Sequence, residues 1–181
     1  MHNDTMKKVI VYCHGYASSN KTDKVFRLKK MLPDVEVHAW NIAVDPSVSI
    51  PYLTGKIDLD ILATNPLEEN INLIFVGTSL GGWYASRLAD IYKAKAVLIN
   101  PAYNPKLSLG KYNVDQEILN RYSEIKWNGS YHYFISRNDE VIPFDLVAID
   151  LWNVRAKYYE HTDHRFNGPE FDDVINLIKE L

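Results

Sequence analysis

The sequence has a single cysteine, Cys13, in 181 residues, which excludes an intrachain disulfide framework. It has no apolar run of the about 18 residues that a membrane-spanning helix needs. Residues 1–8 lack the apolar stretch of a secretory signal. There is no excess of positive charge, since 20 Lys and Arg oppose 23 Asp and Glu for a net charge of −3. These absences predict a cytoplasmic protein with no membrane span and no nucleic-acid partner, because nucleic-acid binding rests largely on cationic side chains.

The chain also lacks internal repeats, low-complexity segments and a Gly/Ser-rich linker. At this length the absence of a boundary predicts one domain over residues 1–181. What the sequence does have is a globular composition, 46% hydrophobic and 12% aromatic, which is enough to build a packed core.

Short apolar runs alternate with helical patterns along the chain. The runs predict six strands: Val9–Cys13, Val35–Trp40, Asn72–Val76, Ala96–Ile99, Tyr131–Ser136 and Ala156–Glu160. Several are unbroken, as in parallel strands buried on both faces, whereas the charges around the last favour an edge position. Helices are predicted after a Thr22 cap (with Val25, Phe26, Leu28 and Leu32 recurring), around Ile57–Leu62, at Leu80–Ile91, Val114–Tyr122, Asp145–Trp152 and Pro169–Leu181.

This alternation predicts the α/β fold class, with a mostly parallel sheet of about six strands between two helical layers. A mixed α+β fold is the alternative. The longest interval without a strand, Asn100–Ser130, contains either a small lid or pocket wall or an ordinary connection. Because the strands and helices use nearly all of the chain, we expect a minimal lid or none.

The sharpest motif is the segment GTSLGG at residues 77–82. It contains the pattern G-x-S-x-G between an apolar strand and a helical pattern, the context of a nucleophile elbow. Ser79 is the candidate nucleophile, and the N–H of Leu80 at the helix start is a candidate oxyanion donor. Gly77 and Gly81 lack Cβ atoms and so let the helix start close to the strands. The alternative is a serine that only caps a helix.

A serine nucleophile needs a base and an orienting acid, which follow it in the order acid then histidine in hydrolases with this elbow. Asp139 and His164 follow the fifth and sixth predicted strands. His161 is the alternative base. Glu140 is either the alternative acid, a solvated charge or a support for the site. Asp163 is poorly placed because it is the neighbour of His164 in sequence.

The first predicted strand ends in His14-Gly15-Tyr16. In this architecture the second oxyanion N–H comes from that loop, and the backbone N–H of Tyr16 is the candidate. Gly15 is expected to permit an unusual turn. The alternative is a simple glycine turn after a strand.

Neither a metal nor a cofactor is predicted. Cys13-His14 and the pair His161 and His164 lack further ligands for a closed metal site. The phosphate-binding pattern G-x-x-x-x-G-K-[ST] is absent.

These segments resemble the α/β-hydrolase superfamily, and specifically the small bacterial esterases of the YqiA type. The similarity runs from the opening HGYASS at residues 14–19 through GTSLGGWYA at 77–85 and INPA at 99–102. It continues through DEV at 139–141 to DHRF at 163–166.

The resemblance implies a Ser79, Asp139 and His164 triad with Tyr16 and Leu80 as oxyanion donors. It also implies esterase activity on short acyl chains, with a small-molecule acyl ester as substrate. A thioesterase would use the same groups. The chain is also similar to small serine hydrolases related to retinoblastoma-binding protein 9, which supports the alternative of a binding protein with weak or no turnover.

Overall fold

The computed structural model describes residues 6–65, 70–126, 129–142 and 155–181 and contains a six-stranded sheet in which every pairing is parallel. The strands are β1 (Lys7–Cys13), β2 (Glu36–Ala39), β3 (Ile71–Thr78), β4 (Lys95–Ile99), β5 (Tyr131–Ser136) and β6 (Arg155–Tyr159). Each corresponds to a strand predicted from the sequence, so the predicted α/β class is confirmed.

The strand order is β2-β1-β3-β4-β5-β6. The chain therefore adds β2 on one side of β1 and all later strands on the other. Parallel α/β sheets bind ligands at such a reversal, beyond the carboxyl ends of the strands. Here the reversal lies between β1 and β3, which pair in register from Lys7 with Ile71 to Cys13 with Gly77.

Helices cover both faces of the sheet. They are α1 (Asp23–Met31), α2 (Pro46–Ile57, continued by a π-helical turn at Asp58–Leu62), α3 (Leu80–Tyr92), α4 (Pro105–Gly110), α5 (Gln116–Asn120) and α6 (Phe171–Glu180). Leu53 of α2 and Tyr84 of α3 pack in one apolar cluster with alternate strand residues. Leu28 of α1 and Val174 of α6 pack in a second cluster on the other face. The result is the three-layer arrangement that the alternating pattern predicts.

Several details differ from the periodicity. Thr22 caps α1 as expected, its hydroxyl accepting from the N–H of Val25 at 3.4 Å. Phe26, however, is 66% exposed, because it follows Val25 by one residue and so points away from the buried stripe. Ile91 is likewise exposed near the end of α3. The predicted helix Asp145–Trp152 lies outside the described residues.

The described residues of the interval 100–130 are packed against the domain rather than open. Its Tyr122 ring lies 4.7 Å from the Trp83 ring, and the Trp83 indole N–H donates to the carbonyl of Ser123 at 2.7 Å. Leu109 and Leu119 of the two short helices are buried. These residues therefore form a packed surface segment of the domain that contacts α3. In the described ranges no helix is long and apolar enough to cross a membrane.

Candidate active site

Four loops meet at the carboxyl edge of the sheet. Ser79 follows β3, Tyr16 follows β1, Asp139 follows β5 and His164 follows β6. The strands are parallel, so these four sequence positions, which span most of the chain, reach one side of the molecule.

Ser79 has a strained backbone, with φ 56° and ψ −124°. Such a conformation costs about 1–3 kcal/mol and persists only where its surroundings enforce it. Here the N–H of Ser79 donates to the carbonyl of Ile99 at 3.0 Å, and its carbonyl accepts from Gly82 and Ala102, both at 2.9 Å. The three bonds hold the serine in a sharp turn from which α3 starts at Leu80.

The glycines of the turn allow close backbone contacts. A Cβ on Gly81 would lie 2.0 Å from the carbonyl oxygen of Cys13, and one on Gly77 would lie 2.1 Å from the carbonyl oxygen of Gly81. Real Cβ atoms do not approach backbone so closely. The start of α3 therefore packs directly on the backbone of β1, as the sequence motif indicates.

His164 and Asp139 are in direct contact. Nδ1 of His164 lies 2.7 Å from Oδ2 and 2.9 Å from Oδ1 of Asp139, and the two side chains are 13% and 3% exposed. Oδ1 of Asp139 also accepts from the N–H groups of Val141 and Ile142, both at 2.8 Å. These backbone donors hold the carboxylate against the imidazole.

The neighbouring candidates have other partners. Glu140 accepts from the backbone N–H of His164 at 3.1 Å, so it supports the histidine loop and does not contact the imidazole nitrogens. The carboxylate of Asp163 accepts from the N–H of Phe166 at 3.1 Å and shapes the turn. His161 is exposed.

Asn100 is a residue of this site that the sequence reasoning missed. It is buried, with φ 41°, and its Nδ2 donates to Oγ of Ser136 at 2.9 Å and to the carbonyls of Asp163 and His164 at 3.3 and 3.0 Å. Its Oδ1 accepts from the N–H of Ser136 at 2.7 Å. Asn100 thus joins β4, β5 and the histidine loop. The sequence signal is an asparagine, a residue that tolerates positive φ, directly after a buried strand.

His14 organises the loop after β1. The N–H of Ile42 donates to its Nε2 at 2.9 Å, so the ring proton is assigned to Nδ1, which donates to the carbonyl of Gly15 at 2.8 Å. Burial lowers the pKa of His14, which favours this neutral form.

The loop after Gly15 contains a left-handed residue, but that residue is not the glycine. Among the described residues no glycine has a positive φ, and Ala17, with φ 53°, has the left-handed backbone instead. Gly15 matters through proximity: a Cβ there would lie 3.3 Å from Cβ and 3.9 Å from Oγ of Ser79. The Tyr16 ring lies 5.3 Å from the ring of Tyr112 in the packed interval.

Ser79 and His164 line one cavity of about 410 Å³. Its other walls come from the ends of β1 and β3, the loop after β1, the start of α1 and the loop after His164. They are Tyr12, Gly15, Tyr16, Ala17, Ser18, Thr22, Asp23, Lys24, Thr78, Arg165 and Asn167. None of the described residues of the interval 100–130 lines it. In the described part of the chain, no three His, Cys, Asp or Glu side chains are grouped to hold a metal ion.

Residues 9–181 match the model of a protein family that is described as "Uncharacterised protein family (UPF0227)". A UPF0227 protein of Shewanella woodyi is 27% identical over 165 residues, covering 84% of this chain and 85% of the relative. The UPF0227 protein YE1706 of Yersinia enterocolitica is 26% identical over 182 residues, covering 96% of each chain.

Several solved structures share the fold. Alpha/beta hydrolase domain-containing protein 10 from mouse superimposes with a TM-score of 0.71 at 15% identity, covering 95% of this chain and 88% of the other. The Pyrococcus furiosus esterase PF2001 gives 0.70 at 17% identity, with coverages of 98% and 82%. Est1E from Butyrivibrio proteoclasticus with ferulic acid bound gives 0.67 at 14%, with coverages of 97% and 88%. These likenesses confirm the α/β-hydrolase fold that the sequence resembles.

Proposed function

From the premise that this chain belongs to the UPF0227 family, we propose that it is a serine hydrolase that cleaves short-chain carboxylic esters. The observation that supports this most is the contact of 2.7 Å between Asp139 and His164, at a cavity that His164 shares with the strained Ser79. The α/β-hydrolase fold of the solved neighbours adds support, since one of them is named an esterase and another, Est1E, has ferulic acid bound.

In the proposed reaction, Oγ of Ser79 attacks the ester carbonyl while Nε2 of His164 takes the hydroxyl proton. Asp139 keeps the other ring nitrogen protonated and stabilises the imidazolium that forms. His164 then gives its proton to the leaving alkoxide, and the acyl group stays on Ser79. Water, deprotonated by His164, attacks the acyl carbon, so that the carboxylic acid leaves and Ser79 is restored.

The oxyanion that forms in each step is proposed to bind the backbone N–H groups of Leu80 and Tyr16. Leu80 is the first residue of α3, where N–H groups have no partner within the helix and the dipole favours negative charge. Tyr16 follows Gly15, whose backbone lies beside Ser79.

The rest of the proposal concerns the substrate and setting. The cavity of about 410 Å³ has many polar walls, which suits a small acyl ester better than a long apolar chain. We propose that residues 1–181 act as one catalytic domain with a small-molecule substrate, in the cytoplasm.

The test is the hydrolysis of p-nitrophenyl acetate by the wild-type protein and by Ser79→Ala. The variant is expected to lose about 10³-fold or more in kcat/KM while keeping its circular dichroism spectrum. Ser47→Ala, at an exposed serine in the first turn of α2, is the matched control and is expected to keep wild-type turnover.

Labelling with a fluorophosphonate gives an independent readout, with one adduct expected on the Ser79 peptide. Turnover by Ser79→Ala equal to that of the wild type would refute the assignment. An unlabelled Ser79 together with no turnover would favour a binding protein on this fold. Comparing the hydrolysis rates of acetyl thioesters and acetyl oxygen esters distinguishes a thioesterase from an esterase.

A further inference from the structure

A buried lysine forms part of the wall of the candidate active-site cavity. Lys24, in the first turn of α1, is 6% exposed and lines the same cavity as Ser79 and His164. Its Nζ donates to the backbone carbonyl of Arg165 and to Oδ1 of Asn167 at 2.6 Å, and both of those residues also line the cavity. The ammonium group therefore lies among the residues that form the wall.

The charge of Lys24 has no direct counter-ion within the described ranges. Neither of its two acceptors is charged, and no carboxylate oxygen of a described residue lies within 4.0 Å of Nζ. Asp23 and Asp163 act on it from farther away, and Arg27 opposes them. Burial lowers the pKa of Lys24 to about 8, since a buried ammonium without a paired anion is destabilised.

A second cationic residue forms part of the same cavity wall. Arg165 follows His164 directly, is exposed, and lines the same cavity. Against these two cations the cavity wall has one carboxylate, that of the exposed Asp23. An anion in the cavity would gain charge-assisted hydrogen bonds and compensate the buried charge.

The proposed role of His164, which protonates the leaving alkoxide, indicates which part of the ester carries the anion. Arg165 is in the loop that carries His164, and Lys24 of α1 is hydrogen-bonded to the backbone carbonyl of Arg165, so both cationic residues contact or belong to this loop. We place a group held there on the side of the cavity where His164 protonates the leaving oxygen in the proposed reaction. The anion therefore belongs on the alcohol part of the ester.

We propose that Lys24 and Arg165 form an anion-binding subsite and that the preferred substrates are esters whose alcohol part carries a carboxylate or a phosphate. The inference rests on the proposed hydrolase function of Ser79. Lys24 also holds the loop after His164 through its hydrogen bonds to Arg165 and Asn167. The test must therefore separate recognition of the substrate's charge from stabilisation of that loop.

The experiment compares three acetyl esters of similar size: 4-acetoxybenzoate, 4-acetoxyphenyl phosphate and the neutral 4-acetoxybenzamide. Wild type is expected to prefer the two anions. In Lys24→Gln the preference for anion over neutral ester in kcat/KM is expected to fall about tenfold or more. Arg165→Gln is expected to lower it in the same direction, and the anion with the larger loss identifies carboxylate or phosphate as the source.

The matched control is Lys30→Gln, which removes an exposed charge from the last turn of the same helix and is expected to leave the preference unchanged. An equal loss on all three esters in Lys24→Gln would assign Lys24 to loop structure alone and overturn the proposal. If Lys24→Gln fails to fold, Arg165→Gln decides, because the exposed Arg165 side chain can be exchanged without opening the core.

Failure of the hydrolase proposal has a different signature, namely no turnover of any ester and no label on Ser79. In that case, binding of 4-hydroxybenzoate and 4-hydroxybenzamide is followed by NMR titration of wild type and Arg165→Gln. Selective binding of the anion that weakens in Arg165→Gln supports the subsite. Equal binding of both compounds, or of neither, overturns it.

Discussion

Truncating Asn100 tests how the histidine loop is held at the sheet edge. In Asn100→Ala, the Ser136 N–H and the His164 carbonyl lose the side-chain partners that they have at 2.7 and 3.0 Å. The carbonyl of Asp163 keeps its bond from the Ser136 hydroxyl at 3.0 Å. Two backbone groups of a buried region are therefore left without those bonds.

Each such orphaned group costs about 1–3 kcal/mol, so the free energy of unfolding should fall by about 2–6 kcal/mol. Because Asn100 has φ 41°, alanine there adds backbone strain of about 1–2 kcal/mol that glycine does not. Asn100→Gly should therefore be the more stable of the two variants. Both lose the same side-chain bonds, so their difference isolates the strain.

The assay is urea unfolding followed by circular dichroism, and kcat and KM for p-nitrophenyl acetate are measured without urea. Displacement of His164 should lower kcat more than it raises KM, since the loop positions the proposed base. A loss of unfolding free energy below about 1 kcal/mol with an unchanged kcat would refute the reasoning. Equal stability of the alanine and glycine variants would refute the strain argument alone.

Two further predictions concern the turn and its neighbouring loop. Gly81→Ala should prevent native folding, because its Cβ would lie 2.0 Å from the Cys13 carbonyl oxygen. Gly110→Ala, with open space around the added Cβ, should be neutral or should stabilise the fold by up to about 1 kcal/mol. Expression and urea unfolding of the two variants test this, and a well-folded Gly81→Ala would contradict it. Because burial lowers the folded-state pKa of His14, the unfolded state takes up its proton first, so stability should decline as pH falls below about 6.5 and His14→Asn should flatten part of that decline. Urea midpoints between pH 5 and 7.5 measure the slope, and identical slopes would contradict the prediction.

The strand pattern and the elbow were accessible from the sequence because both are local. Buried parallel strands require unbroken apolar runs, and all six runs are strands in the structure. The motif around Ser79 is also local, since a strained turn between strand and helix demands glycines at fixed offsets. Helix faces were less reliable: Phe26 fits the apolar stripe by periodicity alone and is exposed.

The contacts between loops were not accessible in this way. That Asp139 meets the imidazole of His164, while Glu140 meets only its backbone N–H, depends on how two loops fold toward each other. Sequence order left both acids open, because adjacent residues differ mainly in side-chain direction. Asn100 lies in the segment INPA, but its role could not be predicted for a related reason: its side-chain partners lie at least 36 residues away along the chain.

By itself the sequence determined a parallel α/β sheet, a serine turn with flanking glycines, and the chain order of an acid and a histidine. The sheet and the turn could be predicted because periodicity and local backbone geometry depend on residues that are close in sequence. Only the tertiary structure decided which acid contacts the histidine, that Asn100 holds its loop, and that buried Lys24 shares the cavity of Ser79. The physical reason is that parallel strands bring their carboxyl ends together regardless of separation in sequence. Distances and burial then depend on packing that no local pattern encodes.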